Sequence, residues 1–200
     1  MRVIVFDYGA GNLHSLGRAL ASAGARVTLE QDPSRLLDGD LLVLPGVGAF
    51  GQAASRLAPE RERVRGALLD GHACLGLCLG MQLLFESSEE GEGEGLGLVP
   101  GRIRRLVARR VPHMGWNRVR WSRAVGAAPD AFYFANGFAA RPDTPGTIAT
   151  TRHDEAMFAA AVATARTLGL QFHPEKSGPE GVRWLGARVR ALAGGEVAWT

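Results

Sequence analysis

Two cysteines, one lysine, three asparagines and four glutamines in 200 residues are the scarcities that narrow this sequence first. Cys74 and Cys78 stand four positions apart with no second pair, which excludes a disulfide framework. A metal site on the Cys74/Cys78 pair is not expected either, because it needs two more ligands at recognisable spacing. No apolar run reaches the roughly 18 residues that cross a bilayer. Asp7 interrupts the first apolar run before it attains the length of a secretory signal. A cytoplasmic location with both thiols reduced is the expectation, with no membrane partner. The shortage of Asn and Gln fits a thermophilic source. An excess of either charge is missing too: 23 basic against 20 acidic side chains leave a net charge of +3. Five arginines crowd into Gly101–Arg110, with no aromatic among them for a base to stack on. That run reads as a strand with one apolar and one solvated face, so nucleic acid is not an expected partner.

What is present is ordinary globular material. Hydrophobic residues make up 46% and charged residues 22%, which excludes wholesale disorder. The length suits one domain over residues 1–200. Strand-like runs at Arg2–Asp7, Arg26–Glu30, Asp40–Leu44 and His72–Leu77 alternate with helical patterns at Leu13–Ala23 and from Leu79 to Phe85. This alternation predicts an α/β fold, a mixed but mostly parallel sheet with helices on both faces. The Glu- and Gly-rich stretch Glu86–Gly95 reads as an exposed acidic loop. Beyond it, short strands at Gly101–Val107, Asn117–Trp121, Ala131–Ala135, Thr147–Arg152, Met157–Thr164 and Thr167–Phe172 predict antiparallel additions to that sheet. Gly181–Ala193 closes the chain as a helix.

Gly76-Leu77-Cys78-Leu79-Gly80 sets a cysteine between two glycines, after a strand and before a helix. This is the nucleophile-elbow pattern with sulfur in place of a serine oxygen. Glycines are needed because the turn is too tight for neighbouring side chains, and a helix N-terminus favours thiolate. The N–H of Leu79 points toward an oxyanion formed by attack from sulfur. Cys74, inside the strand run, is expected to pack as a small hydrophobe. A cysteine nucleophile needs a base and a group to orient it. Among five histidines His173 stands out, since it ends an apolar strand and Pro174 biases it to an extended backbone. Glu175, two residues on, can bond one ring nitrogen and leave the other to face the thiol. Pro45-Gly46-Val47-Gly48-Ala49-Phe50 follows the third strand, where open α/β sheets bind ligands, and its glycines allow a second oxyanion donor. On residues alone, a cysteine peptidase or a non-catalytic interaction subunit remain rival readings.

Pro45–Phe50, Gly76–Gln82 and Gln171–Ser177 together resemble the three signatures of class I glutamine amidotransferases. Tyr8–Leu13 and Pro112–Asn117, with Gly-Val-Gly in place of Gly-Pro-Gly, narrow the resemblance to the glutaminase-subunit family of imidazole glycerol phosphate synthase. The likeness runs from about Val3 to Ser177 in the family's order. It implies that Cys78 attacks the side-chain amide of glutamine, that His173 protonates the departing ammonia, and that Glu175 orients His173. It further implies that Gln82, Gly46 and Gly48 help hold the glutamine, and that no cofactor is required. Ammonia would pass to a (β/α)8-barrel cyclase partner that makes imidazole glycerol phosphate and an aminoimidazole carboxamide ribotide. Asn12, Trp116, Tyr133 and Lys176 would face that partner. A glutaminase serving another synthase is the alternative. Ala135-Asn136-Gly137-Phe138 departs from the Val-His-Ser-Tyr-like run usual in the family, at backbone that grips the glutamine α-groups in relatives.

Overall fold

The computed structural model describes residues 1–11, 13–123 and 125–196. β1 (Arg2–Phe6) sends Val3 and Val5 into one core and Ile4 and Phe6 into another, as strand alternation requires. It pairs in parallel with β2 (Arg26–Glu30) on one side and β3 (Leu41–Leu44) on the other. α1 (His14–Ser22) joins β1 to β2, burying Leu16, Ala19 and Leu20. β3 leads into α2 (Phe50–Leu57) and α3 (Arg61–Leu69), neither of which the sequence reading picked out. The signal was there, because Phe50, Ala53, Ala54 and Leu57 repeat at helical spacing and are buried. β4 (Cys74–Leu77) follows, then α4 (Leu79–Gln82).

The second half comprises β5 (Ser87–Ser88), β6 (Arg102–Arg105), β7 (His113–Arg118), β8 (Arg120–Trp121), β9 (Ala131–Asn136), β10 (Phe138–Ala139), β11 (Thr147–His153), β12 (Ala156–Thr164), β13 (Thr167–Leu170) and α5 (Gly178–Ala193). The main sheet has eight strands in the order β2-β1-β3-β4-β13-β12-β11-β8. Its β2-to-β13 side is parallel, and β12, β11 and β8 are antiparallel additions. That expectation is corrected for the remaining strands, which form two small sheets, β10-β6-β5 and β7-β9. The predicted strand Asn117–Trp121 divides at Val119, because β7 pairs with β9 whereas β8 pairs with β11.

In the arginine run, Ile103 is buried while Arg102, Arg104 and Arg105 are exposed, the solvated strand expected. Phe172 stacks on Phe132 with ring centroids 4.1 Å apart and lies near Trp184, which anchors the segment after β13. Among the described residues no helix is long and apolar enough to cross a membrane.

Candidate active site

The sheet order brings three strand ends together. β4 lies between β3 and β13, all parallel, with Leu44 opposite Gly76 and Leu77 opposite Leu170. The loop Pro45–Phe50, the cysteine elbow and the segment leading to His173 therefore emerge side by side along the carboxyl edge.

At the elbow Cys78 adopts φ 46°, ψ −102°, a region that costs a non-glycine residue on the order of 1–3 kcal/mol. Its N–H is tied to the Leu170 carbonyl at 2.6 Å. The flanking glycines are steric necessities: a Cβ on Gly80 would lie 1.9 Å from the Leu44 carbonyl oxygen, and one on Gly76 would lie 2.5 Å from that of Gly80. Leu79–Phe85, expected as the start of a helix, is corrected to α4, a single turn. Residues further along end it, since Leu96 N–H bonds the Leu83 carbonyl at 2.7 Å and those of Leu98 and Val99 bond Leu84. The macrodipole expected to favour thiolate is thus only that of one turn. Cys74 is fully buried in β4, and desolvation pushes its thiol well up.

His173 has an extended backbone (φ −110°, ψ 88°), and its N–H bonds the Tyr133 carbonyl at 2.8 Å. Its Nδ1 is 2.7 Å from Glu175 Oε1, with side chains 2% and 6% exposed. Burial by itself lowers the imidazole, but hydrogen bonding and charge from Cys78 and Glu175 outweigh it and push His173 up to about 9. Gly46 sits in the gap between the two. A Cβ there would be 2.8 Å from His173 Cε1 and 2.9 Å from Cys78 Cβ.

A cavity of about 90 Å³ opens on the sulfur, lined by Gly46, Gly48, Leu79, Gln82, Glu90 and the 135–138 stretch. Gly48 has φ 94°. Val47 points elsewhere, into contact with the first loop: a Cβ on Gly11 would be 2.6 Å from Val47 Cβ. Gln82 Nε2 donates to the Phe138 carbonyl at 3.2 Å. The departure Ala135–Phe138 therefore keeps its backbone at the cavity, with Asn136 turned back on Phe138 through a 3.0 Å bond.

Sequence reasoning missed Glu90. The segment Glu86–Gly95, expected as an exposed acidic loop, keeps Glu86, Glu89, Glu92 and Glu94 exposed, but it contains β5 and turns Glu90 toward the cavity. Glu90 Oε2 accepts from the Phe50 N–H at 3.1 Å, and Glu89 accepts from Arg105 N–H at 2.9 Å. A run of like charges hides which member turns inward, and only proximity to the glycine-rich elbow hinted at one.

Of the residues expected to meet a partner, Trp116 (59% exposed) and Tyr133 are cross-strand neighbours on β7 and β9. Lys176 is exposed. Asn12 lies outside the described residues. Met114, 63% exposed, extends the same apolar face. No group of three or more His, Cys, Asp or Glu is arranged to hold a metal among the described residues.

The family model for class I glutamine amidotransferase matches residues 4–190. The chain is 45% identical over 189 residues to the imidazole glycerol phosphate synthase subunit HisH of Thermus thermophilus, covering 92% of this chain and 95% of the relative. It is 44% identical to the HisH subunit of Halobacterium salinarum, covering 92% and 90%. A crystal structure of a glutamine amidotransferase superposes with a TM-score of 0.73 at 20% identity over 96% of this chain and 98% of that one, a likeness of fold. The sequence match, the fold and the arrangement at the strand ends agree: the chain belongs to the class I glutamine amidotransferases, among the HisH subunits of imidazole glycerol phosphate synthase.

Proposed function

We propose that this chain hydrolyses glutamine to glutamate and ammonia with Cys78 as nucleophile, His173 as proton carrier and Glu175 as its orienting group. The observation that carries this is the closeness of thiol and imidazole at Gly46, where even a methyl would not fit. Sulfur attacks the side-chain amide carbon, and the carbonyl electron pair moves onto oxygen. The Leu79 N–H and the Gly46-Val47-Gly48 backbone stabilise that oxyanion. His173 gives its proton to the amide nitrogen, the C–N bond breaks with its pair going to nitrogen, and ammonia leaves a γ-glutamyl thioester. Water then attacks, His173 takes its proton, and the C–S pair returns to Cys78 as glutamate departs.

Glu90, at the cavity wall, suits the substrate's α-ammonium, and Gln82 with the 135–138 backbone suits the rest of the amino-acid end. Ammonia is delivered to a (β/α)8-barrel cyclase docked on the face of Met114, Trp116, Tyr133 and Lys176. Trp116 is the expected anchor of that interface. The setting is cytoplasmic, where the thiol stays reduced.

The test is glutamate release by the lone chain, by the chain with a barrel cyclase, and by that complex with the cyclase's ligand. Stimulation by the ligand-bound cyclase and its loss in Cys78→Ala are expected. Persistent glutaminase activity in Cys78→Ala would overturn the reading.

A further inference from the structure

Gln171 is a buried polar side chain in the His173 segment that the mechanism above leaves idle. It is fully buried, its backbone N–H is held by the Ala160 carbonyl at 2.9 Å, and it does not line the substrate cavity. Its Nε2 lies 3.6 Å from Cys78 Sγ. The direction of that contact follows from its neighbours. The Phe138 carbonyl can only accept, so Gln82 turns its Nε2 that way, and the same Nε2 meets Gln171 Oε1 at 3.5 Å. Gln171 is left with its N–H2 facing the sulfur. On the other side Cys78 Sγ lies 3.8 Å from the Ala135 carbonyl, which accepts from a thiol and repels a thiolate.

We propose that Gln171 is a further catalytic residue, whose amide donates a hydrogen bond to the Cys78 thiolate and is aimed by Gln82. The proposal rests on Cys78 being the nucleophile. A donor to an ionised acceptor is the stronger kind, and burial keeps water from replacing it. The bond exists while sulfur carries charge. It weakens when sulfur shares its pair with the substrate carbon, and it re-forms when the C–S bond breaks and that pair returns to sulfur. Gln171 therefore offsets the Ala135 carbonyl in the free enzyme and assists departure of the thiolate in the second half-reaction. The titratable groups around the sulfur are His173, with Glu175 behind it, and Glu90 on the cavity wall. All three are retained when Gln171 alone is changed.

The test is Gln171→Met, which keeps the volume and removes the donor, measured in the complex with the barrel cyclase. Iodoacetamide labelling of Cys78 near neutral pH should slow about tenfold. The kcat should fall by a similar factor with KM within twofold, because Gln171 is outside the cavity lining. Unchanged labelling and kcat in a folded variant would overturn the proposal. A second measurement needs no variant at that position. With only four glutamines in the chain, the 15N side-chain amide signals are few enough to assign. One of them should move with the pH dependence of Cys78 labelling and stop moving in Cys78→Ala. If none does, Gln171 has no part in the chemistry. The nucleophile assignment fails separately, by glutaminase activity surviving Cys78→Ala.

Discussion

Gly46→Ala isolates the geometry on which the proposed chemistry depends. Gly46 is not among the glycines with positive φ, so alanine meets no backbone penalty and its effect is steric. The added methyl would fall 2.8 Å from His173 Cε1, 2.9 Å from Cys78 Cβ and 2.9 Å from the Leu77 carbonyl oxygen. Ordinary carbon contacts begin near 3.5 Å, so the methyl must open a gap of about 0.6 Å on more than one side. None of the three neighbours yields easily. Leu77 is in the central strand, Cys78 is pinned by its N–H to Leu170, and His173 is held by Glu175 at 2.7 Å. The imidazole and the sulfur must separate. Overpacking of this kind costs about 1–3 kcal/mol of stability. A misplacement approaching 1 Å at reacting groups costs up to about 10²-fold in rate. The expected result is a folded protein, destabilised in urea by about 1–3 kcal/mol, with kcat for glutamate release down about 10- to 100-fold in the cyclase complex. Full activity, within twofold of the parent at equal loading, would refute the claim that thiol and imidazole must close on each other across Gly46.

Cys78→Ala should abolish glutamate release while Cys74→Ala keeps it, losing stability for its buried sulfur; labelling by a glutamine-like electrophile, located by mass spectrometry, should find Cys78 alone. Glu175→Gln should lose less kcat than His173→Ala, since the carboxylate orients the imidazole that carries the proton, and equal or inverted losses would count against these roles. Glu90→Gln should raise KM for glutamine about tenfold or more with a smaller change in kcat; an unchanged KM would remove Glu90 from the α-ammonium site. Stability should be greatest near neutral pH. His173, raised from 6.5 to about 9, contributes on the order of 3 kcal/mol that is fully present below pH 6.5 and lost as pH rises through 9. His113 is lowered to about 4 by burial and by His153, stacked on it at 4.1 Å, although Asp154 opposes the shift. Its contribution is present above pH 6.5 and lost as pH falls through 4. Urea midpoints across pH should show both limbs, and His173→Ala should flatten only the alkaline one.

The parts legible in the sequence were those whose physics is local. An elbow of five residues, a histidine fixed by its following proline with a glutamate two positions on, and a Gly-Val-Gly turn each carry their own signature. Parallel pairing then sets them side by side. What escaped reading were contacts between distant segments. Glu90 reaches Phe50 from forty positions away, and Gln82 meets Gln171 across eighty-nine. The length of α4 was misjudged for the same reason, because apolar periodicity from Leu79 to Phe85 says nothing about Leu96–Val99 capturing the carbonyls at its end. Two small sheets were read as extensions of the large one, since alternation reveals which face is buried but not which strand is the neighbour.

That capture has a practical consequence for following the enzyme in solution. The amides of Leu96, Leu98 and Val99 are bonded to the turn immediately beyond α4, yet they belong to a segment that begins six residues past Glu90. Any movement that loosens the nucleophile's turn must release them, so their hydrogen-exchange rates are a gauge of that turn. Exchange at Leu96 should slow when the cavity is filled by a covalent glutamine analogue on Cys78. Leu29, on the edge strand β2, should exchange at the same rate before and after.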